Sequence, residues 1–90
     1  MIVKEIYALK DTCANCIREE IFLANKAATA IRLVKTIVSQ PHDITEKAKD
    51  LQLVHIGDID MITGQITKTE MKPIVSLEAL LPQDKKEIAK

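Results

Sequence analysis

Residues Asp50 to Ile66 read DLQLVHIGDIDMITGQI, and the reading of this stretch decides the fold. Leu51, Leu53 and Ile56 lie along an apolar run that stops at Gly57-Asp58-Ile59-Asp60, and a second run restarts at Ile66 after Thr63-Gly64. Apolar runs separated by Gly and Asp punctuation predict a β-hairpin over residues 51–70, with its loop at 60–64.

Upstream, residues 2–9 are β-branched and apolar enough for a strand. Ile2, Ile6 and Ala8 share one face, and Val3, Tyr7 and Leu9 share the other. Apolar residues on both faces suit an interior strand. Residues 11–16 read as a polar connection, and Ile21-Phe22-Leu23 as a short second strand returning antiparallel. Asn25 is placed to cap a helix, because Ala27, Ala28, Ala30, Ile31, Val34, Ile37 and Val38 recur at helical spacing until Pro41 blocks continuation. Asp43-Ile44-Thr45-Glu46 has the form of a capping box and predicts a short helix over residues 44–49. Beyond the hairpin, Ser76 is placed to cap a short helix over residues 77–81 before Pro82, and the tail QDKKEIAK is charged and expected to fray.

The order of elements predicts an α+β domain: a small antiparallel sheet in ββαββ-like order, covered on one face by one main helix. Residues 1–72 form its core, and residues 73–90 are expected to be a C-terminal extension, partly flexible.

Ninety residues bury only about 60–65% of the surface that the unfolded chain exposes, so stability is expected to be thin. With 47% hydrophobic residues but one Tyr, one Phe and no Trp, the core has to be built from Ile, Leu, Val and Ala. Pairing with a second copy would bury more apolar surface, and a homodimer is expected. Thirteen basic residues balance thirteen acidic ones, so the whole-molecule field does not steer the chain toward a polyanion. Any nucleic-acid contact must come from a local basic face. No apolar run reaches the roughly 18 residues that cross a bilayer, and the N-terminus lacks the order of a signal peptide. A cytoplasmic protein with reduced thiols and no membrane partner is expected.

The residues that bear chemistry are few. Cys13-x-x-Cys16 places two thiols where they could grip one zinc ion, but two further ligands are needed. His42 and His55 are the only histidines, and their spacing fits no zinc-finger pattern. A thioredoxin-like role needs the first cysteine at a helix N-terminus, whereas this pair falls between two strands. Two reduced thiols in a loop are the expectation, with a zinc site shared between two copies left open. Asp58 and Asp60 flank a turn and are expected to form it rather than to bind an ion. No Cys, Ser or Thr stands at a diagnostic spacing from a histidine, so no catalytic residue, metal ligand or cofactor is assigned and no enzyme is expected.

Lys26, Arg32 and Lys35 give the main helix a basic side, with no acidic residue anywhere in residues 25–39. Such a side can be a solvated helix face, or it can meet phosphates. Lys47, Lys49, Lys68 and Lys72 are placed to extend it, with Glu46, Asp50 and Glu70 interrupting. Tyr7 and Phe22 fall within strands and are expected in the core, which leaves no aromatic platform for bases.

The pattern D-L-x-L-x-x-I-G-x-I-D-x-x-T-G-x-I, carried by Asp50, Leu51, Leu53, Ile56, Gly57, Ile59, Asp60, Thr63, Gly64 and Ile66, resembles the small nonstructural protein of gokushovirus-type microviruses, phages with single-stranded DNA genomes. Asn25 followed by Ala30-Ile31-Arg32 is similar to that family's helix, and Ile6 to Asp11 to its first strand. The resemblance spans residues 2–66. It implies a non-enzymatic accessory role in genome replication or packaging, with DNA contact, and lends no role to the cysteines. Lys26, Arg32 and Lys35 of a homodimer are then the candidate contacts to single-stranded DNA. The alternative is a protein-interaction module that docks an edge strand, or the segment Pro73 to Leu81, on a viral or host protein.

Overall fold

The computed structural model describes residues 2–39 and 43–81. Four strands, β1 (Val3–Asp11), β2 (Cys16–Ala24), β3 (Leu51–Asp60) and β4 (Ile66–Ser76), form one antiparallel sheet in the order β2-β1-β3-β4. Between β2 and β3 the chain forms α1 (Ala27–Val38), the short α2 (Asp43–Glu46) and a 3₁₀ turn at Ala48–Asp50. A second 3₁₀ turn, Leu77–Leu80, follows β4. This is the small α+β fold expected, with β1 in the interior and the hairpin of β3 and β4 in place.

The core lies between the sheet and α1. Ala30, Val34 and Val38 recur every four residues, which draws one buried stripe along the helix. The stripe packs in one cluster with Tyr7 and Leu9 of β1, Ala24 of β2, Leu51 and Leu53 of β3, and Leu77 beyond β4. Ala30 has the smallest side chain of that stripe, and full burial there lets helix and sheet approach closely. Each fully buried Leu or Val contributes about 1.5–3 kcal/mol relative to exposure. Ile44 and Ala48 close the end of the layer.

Several boundaries differ from expectation. The second strand covers Cys16–Ala24 rather than residues 21–23. Arg18, Glu19 and Glu20 break the apolar pattern, yet an edge strand tolerates charge because one of its sides faces solvent. Residues 11–16 shrink to a turn at residues 12–15. There Asp11 Oδ1 accepts the N–H groups of Cys13 and Ala14 at 2.9 and 3.0 Å, and Asn15 takes a left-handed conformation at φ 57°.

Lys26, not Asn25, occupies the N-cap of α1, and no side chain closes the cap. The helix ends at Ser39, whose N–H donates to Lys35 O at 3.1 Å. The expected stop at Pro41 and the side chain of Asp43 lie outside the described residues, as does His42. The helix expected over residues 44–49 is divided between α2 and the first 3₁₀ turn.

β4 runs past residue 70 to Ser76, through Pro73. Proline lacks the N–H that a central strand needs, but β4 is the sheet's other edge, where that loss is tolerated. The segment expected as an extension therefore supplies strand residues and the buried Leu77. Ser76 caps the second 3₁₀ turn as expected, its Oγ accepting from Glu78 N at 3.3 Å. The charged tail lies outside the described residues.

Candidate nucleic-acid interface

Arg32 and Lys35 are exposed on α1, and a spacing of three residues sets them about 60° apart around the axis. Lys26, also exposed, precedes the first turn with extended backbone (φ −161°, ψ 167°). At 1.5 Å per residue it stands about 13 Å from Lys35 along the helix. The three cations therefore form a pair near one end and a single charge at the other, not a continuous stripe.

The electrostatics differ between the two ends. Lys35 lies in the last turn, where a cation complements the helix dipole by about 0.3–1 kcal/mol. Lys26 lies at the positive pole, and the first turn holds no acidic residue to offset it. At the N-terminal end of α1 the dipole and Lys26 thus have the same sign.

Of the lysines placed to extend this side, Lys68 and Lys72 do not share a face with each other. Lys47 and Lys49 are exposed around the first 3₁₀ turn. Lys72 pairs with His55, which pairs with Tyr7, whereas Lys68 pairs with Gly57, which pairs with Ile6. Residues directly opposite one another share a face, so Lys68 and Lys72 project from opposite sides of the sheet.

Cys13 and Cys16 are exposed free thiols, one in the first turn and one at the start of β2. Among the described residues no third His, Cys or carboxylate gathers with them into a metal-sized group. Tyr7 is fully buried, and Phe22 stacks on it with ring centroids 6.1 Å apart. Asp60 shapes the β3–β4 turn as expected. Its Oδ1 accepts from Ile62 N at 2.8 Å and Thr63 N at 3.3 Å, and Gly64 follows at φ 78°. Asp58 does something else: its Oδ1 lies 3.0 Å from His55 Nε2.

That contact belongs to a polar cluster which the sequence did not disclose. Tyr7 donates its hydroxyl to Glu5 Oε1 at 2.5 Å, and its ring lies 5.3 Å from that of His55. Burial first, then the hydrogen bond to Glu5 and the charges of Glu5 and Asp58, push the Tyr7 phenol well above its ordinary 10.0. Residues spaced like His55 and Asp58 face opposite sides of a regular strand, so their meeting requires a break in the alternation.

Residues 4–80, from β1 to the second 3₁₀ turn, match the profile of the phage ORF5 protein. The chain belongs to the phage ORF5 protein family. The match takes in all four strands and α1, so this small phage protein carries the family's domain as a single sheet-and-helix unit. No curated protein and no solved structure matches it. Among the described residues no helix is long and apolar enough to cross a membrane.

Proposed function

We propose that this phage protein is the small nonstructural protein of a gokushovirus-type microvirus. In this proposal it is a non-enzymatic accessory to the replication or packaging of a single-stranded DNA genome in the host cytoplasm. It contacts DNA through Lys26, Arg32 and Lys35 of a homodimer. The observation that carries the DNA half is that Lys26, Arg32 and Lys35 are all exposed along α1, with no acidic residue in its first turn. Each phosphate neutralised on a single strand releases counterions and steepens the salt dependence by about 0.7 in log–log slope.

One chain has three such cations and no net charge, which is little for a DNA binder. The edge strand β2 supports a dimer. It has nine residues and no proline, while Pro73 removes a donor from β4; both edges carry charges, Arg18, Glu19 and Glu20 on β2 and Lys68 and Lys72 on β4. Beside β2 an open groove of about 450 Å³ runs between Ile21 and Phe22 on the strand and Leu33, Val34 and Ile37 on α1. Leu33 and Ile37 are 46% and 41% exposed. Antiparallel pairing of two β2 strands about a two-fold axis normal to the sheet sets each groove against its twin. Both α1 helices then stand on the same face of the sheet, and one assembly holds six of these cations.

The test is a salt titration of binding to a single-stranded oligonucleotide, with the wild type beside the triple variant Lys26→Gln, Arg32→Gln, Lys35→Gln. A log–log slope near −4 for a dimer, lost in the variant, supports the proposal. Absence of binding at low salt, or unchanged affinity in the variant, removes the DNA half. The same groove and edge favour a second reading, in which β2 accepts a strand from a viral or host protein. A partner retained after nuclease treatment, by a chain that fails the oligonucleotide assay, would select that reading.

A further inference from the structure

The pairing of β1 with β3 sets Glu5 directly opposite Asp58. Like charges in that relation destabilise an antiparallel pair, and the structure gives each a polar neighbour, Tyr7 on Glu5 and His55 on Asp58. The register of the same pair shifts between Ile6 and Tyr7: Ile6 pairs with Gly57 and Tyr7 with His55, leaving Ile56 as the extra residue. A bulge of this kind re-aims side chains. Here it brings His55 onto the face that Glu5, Tyr7 and Asp58 already share.

One donor atom from each of Glu5, His55 and Asp58 then lies within 4.8 Å of the other two, and all three residues are half-buried. His55 Nε2 and Asp58 Oδ1 are 3.0 Å apart. In a tetrahedral zinc site with ligand bonds of about 2.0–2.2 Å, neighbouring donors are separated by about 3.4 Å. The three donors, all within 4.8 Å of one another, bracket that spacing, and the His55–Asp58 pair, now hydrogen-bonded at 3.0 Å, would open by a few tenths of an ångström to admit an ion. Tyr7, fixed in the core, holds Glu5 from behind as an outer-shell donor.

We propose that Glu5, His55 and Asp58 form a three-ligand site for a divalent transition metal of the zinc class, with its fourth position open to water. One imidazole nitrogen with two carboxylates is a zinc set, whereas magnesium and calcium favour oxygen alone. The ion neutralises the opposed carboxylates and fastens β1 to β3. The site is separate from the thiols: Asp11, which pairs with Cys16, stands six residues from Glu5 along β1, about 20 Å. It is also independent of the DNA proposal, since no residue of α1 takes part.

The test uses the full chain in a Cys13→Ser, Cys16→Ser background, stripped with chelator and titrated with zinc by calorimetry and thermal melting. Binding of one zinc per chain with a raised Tm is expected. Asp58→Asn and His55→Gln, each near-isosteric, should lose at least tenfold in affinity, and Tyr7→Phe should lose some tenfold through Glu5. Circular dichroism of each stripped variant separates lost binding from lost fold. Zinc binding that survives both His55→Gln and Asp58→Asn in folded protein, no binding at all, or an equal rise in Tm with magnesium would overturn the proposal.

Discussion

Gly57 of β3 stands so close to Thr67 of β4 that a Cβ placed on it would lie 2.8 Å from the Thr67 carbonyl oxygen. The obstacle is backbone and cannot swing aside, so Gly57→Ala must push the two strands apart. A loss of about 1–3 kcal/mol is expected, as for other overpacked sites, read as a lower denaturant midpoint. Gly64 offers the contrast. A Cβ there meets nothing within 4 Å, but its φ of 78° strains any L side chain, and Gly64→Ala should cost only about 1–2 kcal/mol. A larger loss at Gly64 than at Gly57 would refute this account of the hairpin.

Tyr7 is the chain's one tyrosine, so phenolate absorbance reports a single site. Its phenol is raised in the fold by burial, by its bond to Glu5 and by the charges of Glu5 and Asp58. A group with a raised folded pKa adds stability that is intact below its unfolded value of 10.0 and is lost as pH climbs above that value. Metal-free protein with chelator present should therefore weaken above pH 10, and its phenolate should appear only as the chain unfolds. Tyr7→Phe should flatten that alkaline slope while losing about 1.5–3 kcal/mol at neutral pH from the missing bond to a carboxylate acceptor. Phenolate that forms near its ordinary value in folded protein would contradict the burial of the ring.

How much of this fold was legible depended on whether periodicity survived. Ala30, Val34 and Val38 disclosed α1 because helical spacing ran unbroken, and Leu51 and Leu53 disclosed the buried face of β3. The first half of β2 stayed hidden because Arg18, Glu19 and Glu20 mimic a loop, and nothing in one sequence marks an edge strand as such. The Glu5, His55 and Asp58 cluster was hidden for a different reason. Alternation assigns residues three apart to opposite faces, and the extra residue Ile56 reverses that assignment. Gly57 was the visible trace, since a glycine inside a strand signals a bulge or a close approach, and here it signals both. The basic side of α1 was legible as exposed, but its division into Lys26 and the Arg32–Lys35 pair depended on which residue caps the helix.

Thr69 of β4 carries a buried hydroxyl that finds no hydrogen-bond partner among the described residues. An unsatisfied buried polar atom costs about 1–3 kcal/mol, and valine replaces the hydroxyl with a methyl of similar shape. Thr69→Val should therefore stabilise the protein by about 1 kcal/mol, seen as a raised Tm. A destabilised variant would show that the hydroxyl is satisfied in solution.

The β2 dimer makes a prediction that charge cannot confound. Leu33 and Ile37 line the groove beside β2 and are about half exposed, so a lone chain uses them only in part. The double variant Leu33→Ser, Ile37→Ser keeps every charge and costs the helix about 0.5 kcal/mol of propensity per site. It should shift the mass measured in solution from two chains to one, while circular dichroism reports an intact fold. DNA binding should weaken with it, and the log–log salt slope should fall from near −4 to near −2, because one chain brings three cations where the pair brought six. A variant that remains dimeric would exclude this groove as the contact. A monomer that keeps the steeper slope would show that DNA binding, if present, does not need the pair.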